Sequence, residues 1–323
     1  MHPQRDNERL ATDAPGLLSR AAADGRSDRA RLASLAARAF PAEADEWSEE
    51  QVTATRTRLI TIAASLLRAL AGAGGDSEGA LARLSDDPAL ADPELIAFAS
   101  TEALLSVLGE QLRSRAGQTL VPPRAAALTE HADAGIADAA LAWLTADMGA
   151  AQADRAYGQL PARLLHRLAG IVAARIPPAT IAGLDRLLAD HDESRTAAVA
   201  RRRLAHMLAA TGEAPVMLAD GPAAIGLPLW FALLAQTSGL DLGAIVRAAA
   251  LKDWQRIAVM LRAAGVAAEP AGAALLALAG PGRAASLPSL ADQRAMSRDG
   301  ARNLVARWRI EARIGRPLGE GAA

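Results

Sequence analysis

His166 is the side chain of this 323-residue sequence whose setting comes closest to chemistry. It lies in LLHRLAG, with Arg163 before it and Gly170 after it. On a helix, Leu160, Leu164, Leu168, Ile171 and Val172 define one apolar face. His166 then falls nearly opposite, beside Arg163 and Gly170, and should be exposed. An exposed imidazole can act as a nucleophile, and a neighbouring arginine can balance phosphate charge. The same pattern also describes a solvent-facing histidine on an ordinary amphipathic helix.

The other chemistry-bearing residues do not converge. His191, Asp192 and Glu193 are adjacent, with His206 further on. Metal sites use such residues, but the helical i, i+4 ligand pair of H-E-x-x-H is missing. Acids in HDES suit a helix N-terminus, with Asp192 as the cap of a helix through Val199, Leu204 and Leu208. Arg201, Arg202 and Arg203 point in three directions around a helix. Arg298, Arg302, Arg307, Arg309, Arg313 and Arg316 could meet phosphates, yet no groove-entering motif or aromatic interleaving accompanies them. A solvated face that complements the last helix dipole is expected there. Gly72 to Gly75 follows no strand, so the phosphate-cradle reading fails, and no P-loop, dinucleotide fingerprint or nucleophile elbow occurs. No metal, cofactor or catalytic residue is therefore expected; His166, Arg163 and Gly170 stay as the alternative.

The elements that must position these residues are helices. The stretch from Ser238 to Gly280 organises the chain. Asp241 can cap a first helix with Leu242, Ile245, Val246 and Ala249 on one face. Asp253 can cap a second, facing inward through Trp254, Ile257, Ala258 and Leu261. Gly265 and Val266 are placed to end it in a left-handed turn. Val259 and Met260 lie outside the main stripe, so this helix should be covered on more than one side. A third helix runs through Leu275, Leu276 and Leu278. Connections this short predict antiparallel neighbours.

Upstream, Leu17 to Ala23 and Ser27 to Ala39 read as a hairpin around Asp24-Gly25, faintly echoing the organising stretch. Ser48 and Gln51 form a capping box for a long helix through Leu59, Ile60, Ala63, Leu66, Leu67 and Leu70. Gly72 to Gly79 is the candidate linker. Asp92-Pro93 caps and opens a helix through Leu95, Ile96 and Phe98, and a longer one is expected from Thr101 to about Arg115. Further helices are expected after Pro122-Pro123, over Ile136 to Met148, over Leu160 to Ile176, through Ile181 to Leu188, and from Pro228. The end, Ser297 to Arg313, is basic and amphipathic, with Leu304, Val305 and Trp308 inward.

Composition agrees. Hydrophobic residues make up 51% of the chain but aromatics only 3%, and alanine dominates. Alanine favours helix and lets helices approach closely, while each contact buries little area. Period-two β-branched runs are nearly absent, so almost no sheet is expected. A formal net charge of -1 argues against a dedicated nucleic-acid or membrane-surface protein. Cysteine is absent, which excludes disulfides and thiolate chemistry. Lys252 is the only lysine. The charged N-terminus does not read as a signal peptide, and the apolar run Leu227 to Ala235 is too short to span a bilayer. A cytoplasmic location without membrane insertion is expected.

Two resemblances add to this. LADPELIAFAST (Leu90 to Thr101) and IVRAAALKDWQRIAVMLRAAGV (Ile245 to Val266) resemble pieces of a bacterial family known as Domain of Unknown Function 2336. That resemblance implies an all-helical, HEAT-like repeat protein over about Ser77 to Gly280, with no established activity and no catalytic residues. LLHRLAG is similar to the phosphoacceptor helix of histidine phosphotransfer domains. There the glycine one turn on clears space for the incoming phosphoryl-aspartate; the lysine usual before that glycine is Ala169 here.

The expected fold is all-α: stacked antiparallel helical hairpins in a HEAT-like solenoid or repeat array. Residues 1–13 should be disordered, 14–72 form a hairpin and long helix, 77–280 the repeat domain, and 286–315 capping helices. The expected function is a non-catalytic protein–protein interaction scaffold or regulatory adaptor with an unidentified protein partner. The alternative is a histidine phosphotransfer or two-component signalling accessory using His166.

Overall fold

The computed structural model describes residues 47–71, 81–82, 84–85, 87–116, 121–150, 153–175 and 183–314. The expected N-terminal hairpin, the glycine-rich stretch 72–79, Ile181 and Arg316 lie outside them. The described residues form helices and connecting turns, with no strand among them. Two compact units emerge. One holds the described residues of 47–104 and 128–204, the other those of 105–127 and 205–314.

In the first unit, helix α1 (Glu49–Ala71) starts on the expected capping box. Ser48 N–H donates to Gln51 Oε1 at 3.1 Å, and Gln51 N–H donates to Ser48 Oγ at 3.2 Å. Leu59, Ala63, Leu66, Leu67 and Leu70 turn inward as their spacing dictates, and Ile62 joins them. The buried Ser65 hydroxyl donates to the Ile62 carbonyl and accepts from Tyr157 N–H at 2.8 Å, tying α1 to the turn Ala153–Gln159. Asp92 caps helix α2 (Pro93–Ala116) by accepting from Glu94 and Leu95 N–H at 2.9 and 3.1 Å. The expected break near Thr101 does not occur. Ser100 and Thr101 hydroxyls both donate to the Ala97 carbonyl, so these residues bond along the helix instead of ending it. By length and apolarity alone α2 could cross a membrane; more than half of that apolar window is buried inside the protein. Short α3 (Pro123–Ala127), in the second unit, follows Pro122 as expected. Helix α4 (Ala134–Ala150), back in the first unit, buries Trp143. Helices α5 (Ala162–Ala173), α6 (Leu184–Ala189) and α7 (Ala197–Ala210) follow.

The second unit contains the organising stretch. Helices α8 (Ala214–Asp220), α9 (Pro222–Ile225) and α10 (Leu227–Ser238) lead into it. The indole N–H of fully buried Trp230 donates to the Leu218 carbonyl at 3.1 Å. Asp241 caps α11 (Leu242–Ala250) through Ala244 N–H, and Asp253 caps α12 (Trp254–Ala264) through Arg256 N–H. The chain bends by 119° between α10 and α11, short of antiparallel. Ile257, Val259, Met260 and Leu261 are all buried. Helix α12 is packed by α10, α11, α13 (Ala268–Ala279) and the last helix α15 (Arg298–Ile314), which explains why apolar residues outside its main stripe are buried too. Helix α14 (Leu290–Ala295) lies against α13. Leu275 and Leu278 of α13 are buried, but Leu276 is exposed.

Two helix ends in this stretch use the same hydrogen-bond pattern with different residues. After α12, Val266 N–H reaches the Leu261 carbonyl and Gly265 N–H the Arg262 carbonyl, with Gly265 at φ +99°. After α11, Asp253 N–H reaches Ala248 and Lys252 N–H reaches Ala249, with Lys252 at φ +62°. Lys252 thus occupies a left-handed position that favours glycine, while its charge suits a helix C-terminus. Lys252→Gly is expected to stabilise the protein by about 1 kcal/mol and Gly265→Ala to destabilise it by about 1–2 kcal/mol. Urea midpoints of the two variants check this; shifts of the same sign would refute it.

Candidate functional site

Helix α5 carries His166 as its sequence indicates, on the exposed side with Arg163 and Gly170. Apart from its chain neighbours and the adjoining backbone of its own helix, no atom lies within 4 Å of the position a Cβ on Gly170 would take. The inward stripe is rotated slightly from expectation. Leu165 and Ala169 are buried with Leu164, Leu168 and Val172, while Ile171 is only half-buried.

The arginines around His166 have acidic partners. Arg163 Nη2 lies 2.6 Å from Glu94 Oε1, and Arg167 Nη1 lies 2.8 Å from Asp92 Oδ2. Arg175, just past α5, pairs with Asp87. The three pairs form a ladder between α5 and the segment leading into α2. Asp87 and Asp92 also accept backbone N–H bonds from Ala89 and from Glu94, so each joins a local cap to a distant arginine. The Arg175 hydrogen bond, with help from Ala89 N–H, holds the Asp87 carboxyl below the usual aspartate range. A depressed carboxyl contributes stability that is complete above its unfolded value and lost as pH falls through its folded value. Stability should therefore fall as pH drops below about 4. Asp87→Asn should flatten that acid limb; an unchanged slope in pH-dependent urea melts would refute the assignment.

The HDES cluster is a capping device. Asp192 accepts from Ser194 Oγ and Ser194 N–H, and the hydroxyl bond holds its carboxyl below the ordinary value. It caps a short turn, Glu193–Arg195, not α7 as expected. Thr196 serves α7, its Oγ1 accepting from Val199 N–H at 3.3 Å. Glu193 reaches further: its Oε2 accepts from Ala162 N–H at 3.0 Å, at the start of α5. In return Gln159 Oε1 accepts from Ala197 N–H at 3.0 Å, at the start of α7. Each helix is capped by a side chain that precedes the other. A helix N-terminus favours the Glu193 charge, as the sequence suggests, but the helix is a different one. His206 belongs to the other unit and bonds Gln236 at 3.2 Å. No group of three or more potential ligands that could hold a metal ion occurs among the described residues.

The basic residues are divided. Arg201 is buried, its Nη2 3.3 Å from Glu102 Oε1, whereas Arg202 and Arg203 are exposed. On α15, Leu304, Val305 and Trp308 face inward as expected, and Ala301 joins them. Several of its arginines cover the ends of other helices instead of forming only a solvated face. The Arg298 guanidinium lies against Gly265 after α12, Arg309 against Gly239 after α10, and Arg302 Nε donates to the Ala263 carbonyl at 3.4 Å. Arg115 of α2 does the same for α13, donating to the Leu278 carbonyl at 2.7 Å. Glycine gives each of the first two ends room for the cation, and the cation offsets the negative end of the helix dipole. Sequence reading missed this use because the glycine and its arginine lie far apart in the chain. No known family, curated protein or solved structure matches the chain.

Proposed function

We propose that the protein is a non-catalytic interaction scaffold or regulatory adaptor, cytoplasmic and built on stacked, HEAT-like helical hairpins, that presents helix faces to a protein partner. One observation carries the reading. Leu141, Met148, Val216 and Ile310 are 58%, 64%, 58% and 57% exposed, all on helices. Large apolar side chains held on rigid helix faces are what a partner helix or peptide recognises. The engagement of Arg163, Arg167 and Glu193 in bonds that hold helices together, and of Asp192 in capping a local turn, supports it. So does the resemblance of Leu90–Thr101 and Ile245–Val266 to Domain of Unknown Function 2336. A photo-reactive amino acid placed in turn at positions 141, 148, 216 and 310 in living cells tests it. At least one position should give a discrete adduct with another protein. A chain that forms none at any position in several growth states overturns the reading.

The exposed His166 imidazole and the open space over Gly170 favour a second reading, histidine phosphotransfer. The pairing of Arg163 and Arg167 with acids weighs against it. Incubation with a phosphorylated receiver domain should then place an acid-labile label on His166. Absence of label, or label that persists in His166→Ala, rules it out.

A further inference from the structure

We propose that the outer side of α15 docks an acidic amphipathic helix of a partner protein. The inference rests on the scaffold reading and names the face and the partner chemistry. Helix α15 runs back along α12. Near one end Arg262 Nε donates to the Met296 carbonyl at 2.9 Å, and near the other the Arg256 guanidinium lies 5.1 Å from the centre of the Trp308 ring. Ala301, Leu304, Val305 and Trp308 are buried on the inward side. Helical spacing places Arg302, Asn303, Ala306, Arg307 and Ile310 on the opposite side. Ile310 is 57% exposed, Arg302, Asn303 and Arg307 are exposed, and Ala306 is half-buried. Ala306 and Ile310 stand one turn apart as a short apolar strip. Arg302 and Arg309 flank it on one side and Arg307 on the other.

Charge decides the partner. Arg298–Ile314 holds five arginines against two acids, Asp299 and Glu311. Among the described residues, none of Arg302, Arg307 and Arg309 has a carboxylate partner. Arg302 uses its Nε on the Ala263 carbonyl and Arg309 rests against Gly239, and both keep guanidinium donors for a ligand. Arg307 makes no hydrogen bond or ion pair among the described residues. Cations on both flanks of an apolar strip select a helix whose own apolar strip is flanked by carboxylates, which a guanidinium meets bidentately. Other anionic surfaces fit less well. A membrane takes up a helix by its apolar side, and that side of α15 is turned into the protein. Single-stranded nucleic acid stacks on aromatic side chains, and Trp308, the only aromatic residue of α15, is buried. A second copy of the same face brings arginine against arginine, which disfavours self-pairing.

The probe is a labelled helical peptide with leucine along one side and glutamate on both flanks of it, titrated by fluorescence anisotropy into the full chain. Its counterpart carries arginine in place of each glutamate. The acidic peptide should bind about tenfold more tightly, with the gap shrinking at high salt. Arg307→Glu should weaken the acidic peptide about tenfold and strengthen the basic one. Ile310→Asp should abolish binding of the acidic peptide. Neither variant should move the thermal melt, because both side chains are exposed. Equal affinity for the two peptides, binding of neither, or affinity unchanged in both variants overturns the proposal. Tighter binding to phosphatidylserine vesicles or to an oligonucleotide than to the acidic peptide overturns it too. So does a dimer of the chain that Ile310→Asp dissolves, since a second copy would then be the occupant. Cellular adducts confined to positions 141, 148 and 216 overturn this face and leave the scaffold reading standing. Absence of adducts at all four positions defeats the scaffold reading itself, and this proposal with it.

Discussion

Trp230→Ala should lower the unfolding free energy by about 3–5 kcal/mol, the range for removing a large buried aromatic. The side chain is fully buried in α10 and meets the Phe231 ring edge-on, with centroids 5.3 Å apart. Alanine removes the ring, leaves a cavity that the short surrounding helices can close only in part, and strips the Leu218 carbonyl of its indole donor. The effect should be large because Trp230 is among the largest fully buried side chains of a chain in which only 3% of residues are aromatic. Trp230→Phe separates the contributions. It keeps an aromatic ring but loses the N–H, and should cost less than the alanine variant. Urea unfolding followed by circular dichroism is the measurement. A loss below about 1 kcal/mol for Trp230→Ala would mean that the site is not close-packed.

Glu102→Ala should cost about 3 kcal/mol by leaving a charge buried without its partner. The Arg201 side chain is only 4% exposed, against 25% for Glu102. Truncating the acid strands a guanidinium that cannot deprotonate and has little access to water. The pair itself need not stabilise the fold, since desolvation offsets much of the attraction. Replacing both members, Glu102→Leu with Arg201→Met, should therefore recover most of the loss. A double variant as unstable as Glu102→Ala would show that Arg201 contributes through something other than its charge. This outcome differs from the exposed pair Arg113–Glu110, where removal of either partner should change stability by less than about 1 kcal/mol.

Only a backbone and its immediate neighbours are needed for the features that could be read in advance. The Ser48–Gln51 box, the Asp92, Asp241 and Asp253 caps and the Gly265 turn all close within a few residues. Their side chains fit no alternative so well, and the helices they bound follow. The all-round burial of α12 was equally legible, because Val259 and Met260 break the single stripe of a surface helix. His166 emerges on the exposed side of α5 for the same reason: helical periodicity separates it from the leucines.

Sequence alone determined that this chain is helical, where many of its helices begin, and which side of the strongly patterned ones turns inward. The tertiary structure decided what the charged residues do. Glu193 caps a helix 31 residues back, Gln159 one that starts 38 residues on, and Arg163 finds its acid 69 residues away. Arg298 and Arg309 settle on glycines at the ends of helices that precede them. Such partners share no local pattern; they meet only because packing brings the helix ends together. The exposure of Leu141 and Met148 on α4 was hidden for a related reason. On a helix that is apolar nearly all round, periodicity reports two candidate inner faces, and only the positions of neighbouring helices decide which one is covered.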